Sequence, residues 1–237
     1  IITDTQATAD YYKRRNGLTL TPVGKFIDPT MVVAAEHLRR NVLFVNPTFE
    51  KGAALVVQIA LQLEQLRPDI QFEVVESRGS WRGMVEYVSA RLGKPRTGLS
   101  NVQVTPHSRN MRPLYSRARI LLAPSLWWES GSRVLAEAML NAIPAIVTDN
   151  GGNREMVGDG GISIALPSVY HEKPYTTLLT SELLEQFIEL IIRSYEEEQF
   201  YQTLVAQAQI AGEQRHAIAQ SFCKLDCAFR GLIAAKY

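Results

Sequence analysis

Apolar runs alternate with segments of helical periodicity through the middle of the chain. Six runs rich in Val, Ile and Leu predict strands at residues 41–46, 70–76, 101–105, 119–125, 144–149 and 162–167. Apolar residues recurring every three to four positions predict helices between them at residues 52–67, 81–93, 111–118 and 132–142. Continuous apolar strands that alternate with helices are typical of a parallel sheet covered on both faces. The pattern therefore predicts a doubly wound, Rossmann-like α/β domain over residues 29–167, whose ligands lie at the carboxyl ends of the strands.

Different patterns flank this domain. The first three residues predict a strand, and residues 5–16 predict a helix that Gly17 closes. An extended piece and an aperiodic, proline-containing stretch (KFIDPTMV) follow, so residues 1–28 are interpreted as the end of a preceding domain and a hinge. Residues 168–237 are mostly helical in pattern and are predicted to pack on the α/β domain and towards an N-terminal domain that the 237 residues mostly lack.

Composition and charge exclude some classes of protein. The chain of 237 residues is 46% apolar and 21% charged, with a net charge of +1, so no overall field attracts nucleic acid. Residues 78–119 nevertheless hold nine basic residues and one acidic residue, which indicates either a solvated basic face or a surface for an anionic ligand. Cys223 and Cys227 are four residues apart in a helical pattern that disfavours a disulfide between them, which predicts a reducing, cytoplasmic compartment.

The stretch after the fourth strand of the α/β domain (PSLWWESGSRVLAE) is a candidate for chemistry. Trp127, Trp128 and Glu129 follow the strand, where ligands of such a sheet bind. The next helix begins with the small residues 130–132, whose uncovered backbone N–H groups form an anion site, and Glu137 lies one to two turns further on. Either glutamate alone is equally well explained by the helix dipole or by a surface position, and the tryptophans by loop packing.

Two further loops have the same position after a strand. The first contains Asn46, Lys51 and Gly52, and a lysine at a helix start is explained by an anionic ligand. The second contains Gly151 and Gly152, which allow either close approach of a ligand or a tight turn into a helix. Neither GxxxxGK[ST] nor GxGxxG occurs in the chain, which disfavours P-loop NTPases and dinucleotide oxidoreductases.

Together these residues resemble the C-terminal, nucleotide-sugar-binding domain of the retaining GT-B glycosyltransferases of glycosyltransferase family 4. That family has a Pro-Ser at a strand end, a Glu-x7-Glu motif, a G-x-P turn and a Gly-Gly-x-x-Glu turn. The matching positions are Pro124-Ser125, Glu129 and Glu137, Ala142-Ile143-Pro144, and Gly151-Gly152 with Glu155. The resemblance covers residues 41–167, and residues 1–28 more faintly resemble the end of the family's N-terminal acceptor domain and its hinge.

The resemblance implies a role for each residue in binding a nucleoside-diphosphate sugar. Lys51 would contact the diphosphate, Glu129 the transferred sugar and Glu137 the ribose. Backbone amides around Ser132 and Arg133 would bind the distal phosphate, and His107 would lie near the base. The other donor-binding candidates are Asn46, Gly52, Gly131, Gly151 and Gly152.

The expected reaction needs neither a metal nor another cofactor. A lysine and a helix N-terminus stabilise the departing diphosphate, and the chain contains no Asp-x-Asp, which is the motif of metal-dependent transferases. Three departures from the family stand out: Asn46 replaces an arginine, Ser-Gly-Ser-Arg follows Glu129 where Gly-Phe-Gly-Leu is usual, and Arg154 replaces a proline. We hypothesise that Arg133 or Arg154 restores the lost positive charge.

The implied activity is sugar transfer from a UDP-, GDP- or ADP-sugar to an unidentified carbohydrate or lipid-linked acceptor, in polysaccharide or glycoconjugate synthesis. Because most of an acceptor domain is absent from the 237 residues, we expect this chain alone to bind nucleotide and to transfer little. Two alternatives remain open: a nucleotide-sugar epimerase of GT-B fold and an inactive GT-B-like binding domain. The basic residues 78–119 are also a candidate for peripheral contact with the inner face of a membrane.

Overall fold

The structure, a computed structural model, describes residues 1–234 and begins with a small β–α–β unit. Strands β1 (Ile2–Thr3) and β2 (Thr21–Pro22) pair in parallel, and helix α1 (Gln6–Asn16) connects them. The side chain of Thr5 caps the start of α1, and Gly17, with a φ of 67°, ends it. The secondary structure expected for residues 1–24 agrees with this unit.

The aperiodic stretch KFIDPTMV, residues 25–32, contains a short helix that the sequence pattern did not predict. Helix α2 (Pro29–Val32) lies inside the stretch interpreted as irregular. Asp28 Oδ1 accepts hydrogen bonds from the backbone N of Thr30 at 2.9 Å and from its hydroxyl at 2.8 Å. Proline suits the first helical position, because it has no backbone N–H that would lack an acceptor there. Four residues are too few to show a helical period, so only the Asp-Pro-Thr cap could have signalled this helix.

A six-stranded parallel sheet forms the centre of the molecule. Its strands are β3 (Asn41–Val45), β4 (Phe72–Val75), β5 (Val102–Thr105), β6 (Ala118–Ala123), β7 (Ala145–Thr148) and β8 (Gly161–Ile164). Their order across the sheet is β5-β4-β3-β6-β7-β8, and every neighbouring pair is parallel. The chain leaves β3 toward one edge and returns to β6 to build the other edge, so a crevice opens between the carboxyl ends of these two strands.

Helices cover both faces of the sheet, which confirms the predicted doubly wound α/β fold. The helices that follow α2 are, in chain order, α3 (Ala53–Leu66), α4 (Trp81–Arg91), α5 (Arg112–Arg117), α6 (Arg133–Leu140), α7 (Asn153–Val157), α8 (Ser181–Glu196), α9 (Glu198–Ala211) and α10 (Ile218–Ala234), and the two cores against the sheet draw on α3 to α9. Successive strand residues enter different cores: Val42 and Phe44 pack with α3, α4 and α8, whereas Leu43 packs with α5, α6 and α9. None of the helices in residues 1–234 has the length and hydropathy needed to cross a bilayer.

A π-helical turn, Gly212–His216, joins the last two helices to the domain. Gly212 lies where a Cβ atom would be 2.4 Å from the carbonyl oxygen of Met139, so only glycine allows this approach to α6. His216 Nε2 is 2.6 Å from the Met156 carbonyl oxygen, and burial lowers the pKa of His216 to about 4. The neutral ring therefore anchors the turn to α7 at neutral pH. The division into residues 1–28, 29–167 and 168–237 stays a prediction.

Candidate functional site

Two loops meet in the crevice between β3 and β6. Lys51 ends a 3₁₀ turn after β3, and Gly52, with a φ of 79°, is the N-cap residue of α3. A Cβ atom at Gly52 would lie 2.1 Å from the carbonyl oxygen of Pro124, so the loop after β3 touches the loop after β6. The backbone N of Leu126 also donates to the Glu50 carbonyl oxygen at 2.9 Å. This close packing requires Gly52 and brings Lys51 next to the second loop.

Lys51 and Glu129 form an ion pair at this meeting point. Lys51 Nζ donates to Glu129 Oε1, and Ser125 Oγ donates to the same oxygen at 2.8 Å. The Lys51 and Glu129 side chains are 23% and 7% exposed, so the carboxylate is buried and the lysine is partly accessible to solvent. The structure therefore brings together the two residues predicted as catalytic. It adds Ser125, which the sequence marked only as part of a motif.

Glu137 is held in place by two donors. Arg133 Nε donates to Glu137 Oε1 at 2.5 Å, and the hydroxyl of Tyr115 donates to Oε2 at 2.5 Å. Burial, followed by the negative charge of Glu137, raises the pKa of Tyr115 well above its usual value, so the hydroxyl stays protonated and donates. Nothing in the sequence pointed to Tyr115, because an aromatic residue on a helix that packs against a sheet is usually interpreted as a core residue.

The larger of two cavities at this edge has a volume of about 470 Å³. Its polar lining comes from His107, Arg109, Tyr115, Arg133 and Glu137, and its remaining walls are mainly apolar and include the short helix α2. An apolar cavity with a few converging polar groups is the usual form of a small-molecule site. The predicted residues His107 and Glu137 share this cavity, and Arg109 was missed because it stood among many basic residues.

The smaller cavity has a volume of about 210 Å³ and adjoins the larger one, since Arg133, Val134 and Val45 line both. Lys51, Ser125 and Ser132 line it on the polar side. Ser132 precedes the first residue of α6 without a side-chain cap, which leaves backbone N–H groups of that helix free for an anion. An ammonium group and a helix N-terminus therefore face the same space.

Asn46 and Arg154 lie differently relative to the two cavities. Asn46 lines the smaller cavity, where its Oδ1 accepts from the backbone N of Arg78 at 2.9 Å, and its amide carries no charge that could replace that of an arginine. Arg154 is 75% exposed, lies 3.8 Å from Asp149 and lines neither cavity. Since Arg133 lines both, the geometry favours Arg133 over Arg154 as the replacement cation.

Gly131, Gly151 and Gly152 allow close packing of the segments next to the site. Gly151 has a φ of 80°, and a Cβ atom there would lie 2.1 Å from the Glu129 carbonyl oxygen. A Cβ atom at Gly152 would lie 2.5 Å from the Ser130 carbonyl oxygen, and one at Gly131 would lie 3.1 Å from Thr5 Cγ2. None of the three lines either cavity. Their close contacts are with backbone and neighbouring side chains, and direct contact with a donor stays a prediction for them.

Gly151→Ala is expected to lower the free energy of unfolding by about 3 kcal/mol, because the new methyl group clashes with the Glu129 backbone and occupies a left-handed conformation. Gly93→Ala is the matched control, since Gly93 has a φ of 73° and open space around it. That variant is expected to lose about 1 kcal/mol from conformational strain alone. Urea unfolding of both variants measures the difference, and equal losses would contradict the proposed clash.

The basic segment 78–119 is partly neutralised by the fold. Four of its nine basic side chains pair with glutamates; the pairs are Arg82–Glu86, Arg96–Glu64, Arg117–Glu73 and Arg119–Glu198. The hydrogen bond from Arg96 is the main cause that lowers the pKa of Glu64 to about 2. In residues 1–234, no group of three or more His, Cys, Asp or Glu side chains is arranged to hold a metal ion.

The family described as "Glycosyl transferases group 1" matches residues 39–196, which is about two thirds of the chain. No curated protein sequence matches.

Three solved structures share the fold at low sequence identity. The pneumococcal O-GlcNAc transferase GtfA in complex with UDP and GlcNAc is 14% identical with a TM-score of 0.75, covering 98% of this chain and 45% of its own. HepE of Anabaena in complex with UDP and glucose is 17% identical with a TM-score of 0.73, at coverages of 97% and 62%. Sucrose-phosphate synthase of Thermosynechococcus elongatus is 16% identical with a TM-score of 0.72, at coverages of 99% and 58%. The present chain thus spans about half the length of these proteins.

Proposed function

The chain belongs to the glycosyl transferases group 1 family, and from this premise we propose that it is the donor-binding part of a retaining, metal-independent glycosyltransferase. In this proposal it takes a sugar from a nucleoside-diphosphate sugar and passes it to a carbohydrate or lipid-linked acceptor in polysaccharide or glycoconjugate synthesis. The observation that carries the proposal is the Lys51–Glu129 pair, whose lysine lines the smaller cavity together with Ser132 at the N-terminus of α6. That cavity adjoins the larger one, which Glu137 lines.

The two cavities suggest how the donor lies. The nucleoside occupies the larger cavity, with the base near His107 and the ribose hydroxyls on Glu137. The diphosphate occupies the smaller cavity, between Lys51 and the first amides of α6, and the sugar extends toward Glu129. The O-GlcNAc transferase GtfA and HepE were both solved in complex with UDP, which supports a UDP-sugar donor ahead of a GDP- or ADP-sugar.

The chemistry follows from charge. The acceptor oxygen bonds to the anomeric carbon while the bond from that carbon to the β-phosphate oxygen breaks, and the bonding electrons leave with the phosphate. The proton of the acceptor hydroxyl passes to the departing phosphate oxygen, and attack on the face that the phosphate leaves retains the configuration. Lys51 and the helix N-terminus stabilise the negative charge that develops on the diphosphate. Glu129 orients the sugar as its ring becomes positively charged.

The proposed location is a reducing cytoplasmic compartment, with peripheral contact at the inner face of a membrane through the exposed part of the basic segment. Cys223 and Cys227 are both free thiols on exposed positions of α10, which supports the first part. Arg78, Arg91, Lys94 and Arg112 are exposed basic residues in that segment, which supports the second.

Incubation of the full-length protein with UDP-, GDP- and ADP-sugars in EDTA tests the proposal, with water as the acceptor. We expect slow release of one nucleoside diphosphate, and NMR of the freshly released sugar should show the anomeric configuration of the donor. Epimerised nucleotide-sugar without release of diphosphate would favour the epimerase instead. Inversion, a metal requirement or absence of nucleotide binding would also contradict the proposal.

A further inference from the structure

An exposed aromatic surface borders the Lys51–Glu129 pair. We call Tyr11, Tyr12, Trp127 and Trp128 the aromatic platform. Tyr12, Trp127 and Trp128 are 40%, 41% and 37% exposed, although large aromatic side chains are usually buried to a greater extent. The rings of Trp128 and Tyr11 have centroids 4.8 Å apart, and those of Tyr11 and Tyr12 are 5.4 Å apart. The platform therefore joins the loop after β6 to helix α1.

The segments that carry the platform are held firmly together. The hydroxyl of Thr8 donates to the Ser130 carbonyl oxygen at 3.1 Å, which ties α1 to the loop after β6. The carboxylate of Glu155 accepts from the backbone N of Gln6 at 2.8 Å and of Ala7 at 2.9 Å, which fixes the start of the same helix. A ligand of the platform would therefore meet rings that are already in position, which lowers the entropic cost of binding.

The position of the platform relative to the two cavities indicates what it binds. Lys51 Nζ lies 5.1 Å from the centroid of the Trp127 ring, so the platform begins beside the ammonium group that faces the smaller cavity. Neither Trp127 nor Trp128 lines either cavity. A molecule on the platform thus lies outside the space assigned to the donor nucleotide and next to the pair where transfer is proposed.

The chemistry of the platform fits a sugar ring. A pyranose has a face of C–H bonds that stacks on an aromatic ring and a rim of hydroxyl groups that needs polar partners. The platform offers exposed indole rings together with the phenol groups of Tyr11 and Tyr12, and Arg15 donates to the Tyr11 hydroxyl at 3.0 Å. An exposed apolar patch rimmed by polar groups is a common form of ligand-binding surface.

We propose that the aromatic platform binds a pyranose ring of a carbohydrate acceptor and sets which acceptor presents its hydroxyl to the Lys51–Glu129 pair. This inference rests on the proposed function and names a surface that selects its second substrate. The stacked pair Tyr11–Trp128 positions the surface, and Trp127 adjoins the reacting groups.

A glycan array probed with the labelled chain tests the proposal, together with calorimetric titration of UDP and UDP-glucose. The variants are Trp127→Ala/Trp128→Ala, Trp127→Phe/Trp128→Phe, and the control Phe229→Ala, which removes an exposed aromatic ring from α10. The wild-type chain and the control should bind the same set of glycans. The alanine pair should lose about tenfold or more in glycan affinity, and the phenylalanine pair should keep most of it. Affinity for UDP and for UDP-glucose should not change in any variant.

Three results would overturn the proposal. These are the absence of glycan binding by the wild-type chain, unchanged glycan binding by the alanine pair, and a selective loss of UDP-glucose affinity with UDP affinity intact. The last result would assign the platform to the donor sugar. If the alanine pair does not fold, the phenylalanine pair and Trp127→Ala alone decide, and unchanged glycan affinity in Trp127→Ala would count against the proposal. Failure of the wild-type chain to bind UDP would instead refute the proposed function itself.

Discussion

Lys51→Ala is expected to weaken binding of UDP to the chain about 10- to 100-fold and to lower the free energy of unfolding by about 2 kcal/mol. The affinity falls because the ammonium group of Lys51 adjoins the smaller cavity beside the α6 N-terminus. Stability falls because Glu129, which is 7% exposed, then keeps Ser125 as its one side-chain donor within residues 1–234. Calorimetric titration with UDP and urea unfolding measure the two effects separately.

Glu129→Gln separates these two effects, since it breaks the same ion pair but keeps the lysine. We expect Glu129→Gln to leave UDP affinity unchanged or to increase it, because Lys51 no longer has a competing carboxylate. Lys94→Ala removes an exposed lysine that lines neither cavity and should change neither quantity. If Lys51→Ala and Glu129→Gln weaken UDP binding equally, the diphosphate is not held by Lys51.

Glu137→Ala should have a comparable effect on affinity through the other end of the donor. A buried carboxylate that accepts from ribose hydroxyls contributes about 1.5–3 kcal/mol, so loss of the side chain should weaken UDP binding about 10- to 100-fold. The same substitution should abolish the preference for UDP over 2′,3′-dideoxy-UDP, since both nucleotides then lack a partner at this position. Titration of the wild-type chain and of Glu137→Ala with both nucleotides gives a thermodynamic cycle. It measures the coupling between the Glu137 side chain and the ribose hydroxyls.

Tyr115→Phe is the matched variant for this cycle. It removes the hydroxyl that donates to Glu137 Oε2 but keeps the carboxylate and its bond to Arg133. We expect the preference for UDP to persist in Tyr115→Phe, with an affinity loss of about threefold from poorer positioning. A preference that survives in Glu137→Ala would show that the ribose lies elsewhere.

The sheet was predictable from the sequence because its four central strands, β3, β4, β6 and β7, are largely buried and appear as continuous apolar runs. The loops at the strand ends were predictable for the same reason: once β3 and β6 are placed, Lys51 and Glu129 must lie at one edge. Helix α2 was not predictable from periodicity, since it has four residues and is defined by the cap that Asp28 forms.

The parts of the site that the sequence missed come from side-chain contacts that a residue pattern does not show. Tyr115 reaches Glu137 from a different helix, and Ser125 donates to Glu129 four residues further along the same loop. Gly151 and Gly152 show a second limit of prediction from sequence, which is that a close backbone neighbour is not identified. A sequence shows that the backbone there needs freedom, but it does not show that the close neighbour is the Glu129–Ser130 backbone.

A thermal-shift panel of UDP-, GDP- and ADP-sugars on the wild-type chain, Lys51→Ala and Glu137→Ala tests the donor site most directly. The account predicts that a UDP-sugar raises the melting temperature of the wild-type chain, because a ligand that binds only the folded state stabilises it. It predicts that each substitution removes most of that increase at the same ligand concentration. An increase of equal size in both variants, or none in the wild-type chain with any donor, would contradict the assignment of this crevice as the donor site.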